Sequence, residues 1–155
     1  MMFEELCKKI LRRCLYLCKD IDNFSGLGFI LASKKVLNKY SLPLRPNEEK
    51  KIIKKLNSKC NKNLEDISKI LIKLSTTKRY HDGFTFLDKN FKIIGICRTL
   101  IICKKTKIKP NKNRGTRFYL SKIFSSYNGV YFVGIIESDK KGFYFIRGKE
   151  FKLKY

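Results

Sequence analysis

The segment Tyr80-His81-Asp82-Gly83-Phe84-Thr85-Phe86-Leu87 sets the chain's single histidine beside a carboxylate and a glycine, at the start of an apolar run. His81 and Asp82 offer an imidazole and a carboxylate to a divalent ion, and Asp82 can instead accept the proton of a substrate hydroxyl. Gly83 lets a ligand approach the backbone closely. A plain turn before a strand also has this composition. A second segment, Arg114-Gly115-Thr116-Arg117, separates a basic run from a predicted helix. At a helix start, Gly115, Thr116 and Arg117 present backbone N–H groups, a hydroxyl and a guanidinium to a phosphate. Taken alone, it also fits a solvated loop. A third segment, Ser138-Asp139, follows an apolar strand pattern and by itself reads as a hairpin turn.

Hydrophobic spacing gives the elements that must position these segments. Residues 2–20 place Phe3, Leu6, Cys7, Ile10, Leu11, Cys14, Leu17 and Cys18 at helical spacing, with basic residues opposite. This predicts an amphipathic helix packed on the domain, stopped by Asp20-Ile21-Asp22-Asn23. Gly28-Phe29-Ile30-Leu31-Ala32 is a continuous apolar run, the pattern of a strand buried on both faces. Lys39 to Pro46 reads as a loop punctuated by Pro43 and Pro46. Asn47 is expected to cap a helix reaching Ser58, with Glu48 and Glu49 at the positive end of its dipole. Leu64 to Ser75 is a third predicted helix. Phe84–Leu87 and Phe91–Ile96 flank Asp88-Lys89-Asn90 as a hairpin. Leu100 to Cys103 continues the apolar run, and Lys104 to Arg114 is expected to be a flexible loop. A helix over Phe118–Ser126, a central strand over Val130–Ile136 and a partner strand over Phe143–Ile146 complete the reading, with Arg147-Gly148-Lys149 as a last turn. Helices first, then strands with one helix between them, predict an α/β domain with a twisted mixed sheet flanked by helices.

Composition limits the classes of function. A chain of 155 residues with 43% hydrophobic content suits one domain with a real core. No apolar run approaches the roughly 18 residues that span a bilayer. The first 20 residues carry too many charges for a signal peptide, so a cytoplasmic protein is expected. The six cysteines form no CxxC, and one histidine cannot complete a zinc finger. Free core thiols are the expectation for Cys7, Cys14 and Cys18. Lys and Arg number 36 against 13 Asp and Glu, a formal charge of +23 that favours anionic partners. Most of the excess is evenly spread lysine, which an AT-rich genome also produces, so charge alone does not choose the ligand.

In this order and at these spacings, the three segments resemble the diadenylate cyclase domain, the family of the DisA N-terminal domain. That family condenses two ATP into cyclic di-AMP. The resemblance spans roughly residues 25–150, with Gly28-Phe29-Ile30-Leu31 at the family's Gly-Ala-Leu-Ile-Val-like strand. His81-Asp82-Gly83 matches its Asp-Gly-Ala motif, with Phe84 for Ala. Gly115-Thr116-Arg117 matches the start of its Gly-Thr-Arg-His-Arg motif, with Phe118 for His and Tyr119 for the second Arg. Ser138-Asp139 matches its Ser-Glu, with Asp for Glu.

The resemblance implies a DisA N-terminal-like fold, one ATP per protomer and a transient homodimer meeting face to face. It divides the chain into an N-terminal helix, 1–24, and a cyclase-like domain, 25–155, packed as one unit. It implies a catalytic set of Asp82, Gly83 and Arg117, and a divalent metal (Mg or Mn) on His81 and Asp82. The nucleotide would contact Gly115, Thr116, Arg117, Phe118, Ser138 and Asp139. Replacing an imidazole and a guanidinium removes two charge-assisted contacts, each worth roughly 1.5–3 kcal/mol. Arg114 or Lys104, Lys105, Lys107, Lys109 and Lys112 could substitute, and Phe118 could stack on a base. Two alternatives follow. One is a catalytically degenerate sensor that keeps the pocket for ATP or cyclic di-AMP. The other, placed third, is a nucleic-acid-binding module using the Lys104–Arg114 loop.

Overall fold

Leu27–Ala32 (β1) carries no charged side chain and is buried at every residue, so it can only be a strand covered on both faces. The computed structural model describes residues 2–61, 63–103 and 114–154. Among these, β1 follows helix α1 (Met2–Leu17) and precedes α2 (Lys34–Tyr40), β2 (Ser41–Pro43), α3 (Pro46–Lys59) and α4 (Leu64–Thr76). Then come β3 (Phe84–Leu87), β4 (Ile93–Leu100), α5 (Thr116–Phe124), β5 (Val130–Ile136), β6 (Gly142–Ile146) and β7 (Lys149–Lys152). The strands form one mixed sheet in the order β2-β4-β3-β1-β5-β6-β7, as the α/β reading expects. The pairing of β1 with β3 is parallel, and every other pairing is antiparallel.

Each face of the sheet has its own core. On one face Cys7, Ile10, Leu11, Cys14 and Cys18 of the α1 segment meet Ile67, Leu71 and Leu74 of α4 over Phe29, Leu31 and Phe132. On the other, Val36 and Leu37 of α2 and Phe118, Ile123 and Phe124 of α5 cover Ile30, Phe86, Val133 and Phe145. The cysteine stripe of α1 is thus core, as its spacing predicts. Burial pushes the thiols of both Cys7 and Cys14 up to about 12.

Two expectations fail in the stretch 33–47. The segment read as a loop from Lys39 to Pro46 contains the end of α2 and the edge strand β2. Ser33 caps α2, its hydroxyl accepting from Val36 N–H at 3.2 Å, and only Val36 and Leu37 are buried, too few residues to show a period. Helix α3 begins at Pro46 rather than after Asn47, because proline's fixed φ and missing N–H suit the first helical position. The chain also adds the short edge strand β7 after the Arg147-Gly148 turn. The Lys104–Arg114 loop falls, apart from Arg114, outside the described residues.

Helix α3 buries none of its residues fully, yet it is held on β4 by polar side chains. Asn57 donates to Ile93 C=O at 2.9 Å and accepts from Ile93 N–H at 3.0 Å. Arg98 of β4 is 8% exposed and meets Glu49 as a fork, with Nε to Oε2 at 2.7 Å and Nη2 to Oε1 at 2.6 Å. Its remaining nitrogen, Nη1, donates to Ser41 Oγ at 3.1 Å. Glu49→Ala would leave Arg98 buried without its anion, and denaturant unfolding should show a loss of about 3–5 kcal/mol. A loss below about 1 kcal/mol would mean that water already reaches the pair. In thiol titration of the native protein, exposed Cys103 should react at once, while Cys7, Cys14 and Cys18 should wait for denaturant. Six thiols reacting at one rate would mean that α1 does not stay docked.

Candidate active site

The parallel pairing of β1 with β3 brings their first residues, Leu27 and Phe84, to the same end of the sheet. Antiparallel β5 returns its last residue, Ile136, opposite Leu27. The turn before β3, the start of β1 and the end of β5 therefore share one edge, and α5 points its N-terminus there. This topology gathers His81, Asp82, Gly83, Gly115, Thr116 and Arg117 from two distant segments.

His81 Nδ1 lies 3.2 Å from Asp82 Oδ1, with the carboxylate well exposed and the imidazole about one-third exposed. Gly83 is needed for its backbone. Its φ is +77°, and a Cβ there would lie 2.6 Å from the carbonyl oxygen of Arg98. Only glycine lets the His-Asp turn close against β4. The space next to this turn, lined by Gly28, Ser75, Tyr80, His81, Asp82 and Gly83, holds about 10 Å³. That is room for one water or ion and for nothing larger.

Arg117 leaves the first turn of α5 and lies over Gly28, its guanidinium 6.0 Å from the centre of the Phe84 ring. Its Nη2 donates to His81 C=O at 3.4 Å. Burial pushes its pKa below the ordinary arginine value, and the charge of Asp82 partly opposes this. Among the described residues no carboxylate comes within ion-pairing distance of this guanidinium. Gly115 is the N-cap, with open space where a Cβ would stand. The N–H groups that open any helix lack intrahelical acceptors, so those of Thr116 and Arg117 face the same edge.

Arg114 has a different fate. It pairs with Glu137 at 3.3 Å, and its guanidinium carbon stands 4.8 Å from the Phe118 ring centre and 4.5 Å from that of Phe143. Phe118 is 7% exposed and packs edge-on against Phe143 and Phe145. It is placed as a core ring beneath Arg114, where no base can stack. Ser138 and Asp139 reach the shared edge but are exposed in the β5–β6 turn, with Asp139 3.6 Å from Lys141. The acid that faces α5 is Glu137, which sequence reading passed over. Its signal was its place directly after the last apolar residue of β5.

No group of three or more His, Cys, Asp or Glu side chains suited to a metal occurs among the described residues. The donor set is the pair His81 and Asp82. Two donors suit a divalent ion that completes its coordination with phosphate oxygens and water.

No protein-family model and no curated protein matches the sequence. Solved structures do match. DacA from Staphylococcus aureus, a double cysteine variant, superposes with a TM-score of 0.64 at 17% identity over 98% of this chain and 88% of its own. A hypothetical membrane spanning protein from Bacillus cereus superposes with a TM-score of 0.64 at 13% identity over 98% of this chain. The chain spans 63% of that second protein's length. It therefore has the α/β fold of DacA. No helix among the described residues is long and apolar enough to cross a membrane.

The buried cation makes a two-sided prediction. Arg117→Met should leave the melting temperature unchanged or raise it, since it removes a desolvated charge with no paired anion. The same change should weaken ATP binding by about tenfold or more, read by calorimetry, if the guanidinium holds phosphate. A destabilised variant with undiminished ATP affinity would make Arg117 a packing residue.

Proposed function

We propose that this chain is a diadenylate cyclase-like nucleotidyltransferase that condenses two ATP into cyclic di-AMP and releases pyrophosphate. The observation that carries this reading is Arg117: a half-buried guanidinium with no paired carboxylate among the described residues, beside the His81-Asp82 turn, in a chain with the fold of DacA. A desolvated cation at a helix N-terminus is complementary to a polyphosphate.

In this reading Gly115, Thr116 and Arg117 hold the phosphates of one ATP through backbone N–H groups, the hydroxyl and the guanidinium. Asp82 receives the proton of the ribose 3′-hydroxyl. The freed oxygen attacks the α-phosphorus of an ATP held by a second protomer. A new P–O bond forms, the bond from the α-phosphorus to the bridging oxygen breaks, and pyrophosphate leaves. A second such event closes the ring, so two protomers must meet with their site edges facing. His81 and Asp82 would hold the divalent ion, Mg or Mn, which when bound supplies positive charge to the reacting phosphate. Gly83 keeps the turn close to β4, so that Asp82 stays at the edge.

A sensor reading has its own support. Phe118 and Tyr119 stand where the resembled family has His and Arg, and Phe118 is buried. That arrangement would keep nucleotide binding while losing the contacts that favour the transition state.

The deciding experiment incubates the protein with ATP and Mn²⁺ or Mg²⁺, beside an Asp82→Asn control, with chromatography for cyclic di-AMP. Product that falls at least about a hundredfold in the control is the expected result for a group that transfers a proton. Binding of ATP or cyclic di-AMP without product would make the chain a sensor. Neither product nor binding would remove the nucleotide reading.

A further inference from the structure

A row of stacked rings crosses the sheet from its centre to its edge. Phe29 of β1 stacks on Phe132 of β5 with centroids 5.7 Å apart. Phe132 stacks on Tyr144 of β6 at 5.5 Å and 9°, and Tyr144 on Phe151 of β7 at 5.0 Å and 13°. The row begins fully buried and ends in water, since Phe29 is 0% and Phe151 39% exposed. All four residues of the edge strand β7 are exposed, so the row ends on a ring that no other element covers among the described residues.

Beside this open end lies a groove of about 590 Å³, whose walls include Phe3, Tyr131 and Phe151. Tyr131 is 37% exposed, and Lys89 Nζ stands 4.6 Å from its ring centre. Arg147 and Lys149 line the same groove. Glu4 is its acidic lining residue, and its carboxylate is taken by Lys8 at 2.8 Å. Aromatic faces thus stand among three cations that line the groove.

This surface lies at the end of the strands opposite the candidate active site. Tyr131 is near the start of β5, whose far end reaches Arg114 and Arg117, and Lys89 is in the turn after β3. Nothing about it depends on the cyclase reading. A second copy of the chain would bring like charges together, with three cations on each side and a formal charge of +23 on each molecule. The complementary ligand is a polyanion with flat apolar faces that are not stacked on one another.

We propose that this groove binds single-stranded nucleic acid, with bases stacking on Phe151 and Tyr131 and phosphates held by Lys89, Arg147 and Lys149. Stacking on exposed aromatic side chains beside a cationic track is how proteins hold single strands without reading sequence. A duplex hides its base faces and can offer only its phosphates.

The test is fluorescence anisotropy with labelled oligo(dT) of about 12 nucleotides, a length within single-strand site sizes, and with a duplex of equal length. The expected result is a preference for the single strand that drops about tenfold or more in Tyr131→Ala/Phe151→Ala. Lys89→Gln/Lys149→Gln should flatten the slope of log affinity against log salt by about 1.4, two cations at roughly 0.7 each. Lys51→Gln, an exposed cation on α3, should leave the single-strand preference in place. If the alanine pair does not fold, Tyr131→Leu/Phe151→Leu keeps apolar volume, removes the aromatic faces and reads the same loss. Equal binding of duplex and single strand, binding unmoved by the aromatic changes, or no binding at all would each overturn the proposal.

Discussion

One buried charge, Arg98, ties together the half of the fold that carries the His81-Asp82 turn. Its side chain is closed on one side by the Glu49 fork, and on the other by the Ser41 hydroxyl. Through these contacts β4 holds the start of α3 and the first residue of β2. Glu49 adds a bond from Ile96 N–H at 3.2 Å, so the same carboxylate also fixes the β4 backbone. Meanwhile the backbone of Arg98 is what Gly83 closes against. A buried pair of this kind gains little net stability over apolar residues of the same size. What it supplies here is a unique geometry, since an unpaired Arg98 in the sheet, or an unpaired Glu49 facing it from α3, would be costly in any other arrangement.

That dependence explains which parts of the fold were legible in the sequence. Elements with a long apolar stripe or run, such as α1, α4, β1 and β5, announce themselves through local spacing. Helix α2 and strands β2 and β7 are too short to show a period, and their positions are set by neighbours distant in the chain. Glu49 illustrates the limit. Its place in the first turn of a helix suggests a role with the dipole, while its carboxylate is committed to an arginine 49 residues away. The clue was Arg98 itself, a charge inside the apolar run Ile93–Leu100, which required a buried partner somewhere.

The candidate site was legible as a set of segments and less so as individual side chains. The grouping of His81-Asp82-Gly83 with Gly115-Thr116-Arg117 is what the topology delivers. Phe118 and the Ser138-Asp139 pair are different, because a motif aligned by residue type does not say which face of an element is turned inward. Phe118 falls on the inward face of α5, and Glu137, two residues before the expected acid Asp139, is the one that meets Arg114. Glu137 N–H still pairs with Lys141 C=O at 2.9 Å at the base of the β5–β6 turn, while Asp139 lies exposed further out in it.

Arg114 and Arg117 show why net charge is a poor guide to function in this chain. They lie within one turn of each other and feel the same overall positive field. Arg114 is neutralised by Glu137 and stacked on two rings, which anchors the start of α5. Arg117 is desolvated without such a partner among the described residues, so its charge remains directed at whatever approaches the edge. A field of +23 spread over the surface raises the local concentration of any anion, ATP and polynucleotide alike. Selection between them must then come from shape. At one end of the strands a single desolvated guanidinium and a helix N-terminus suit a compact polyphosphate. At the other, open rings among spaced cations suit an extended strand.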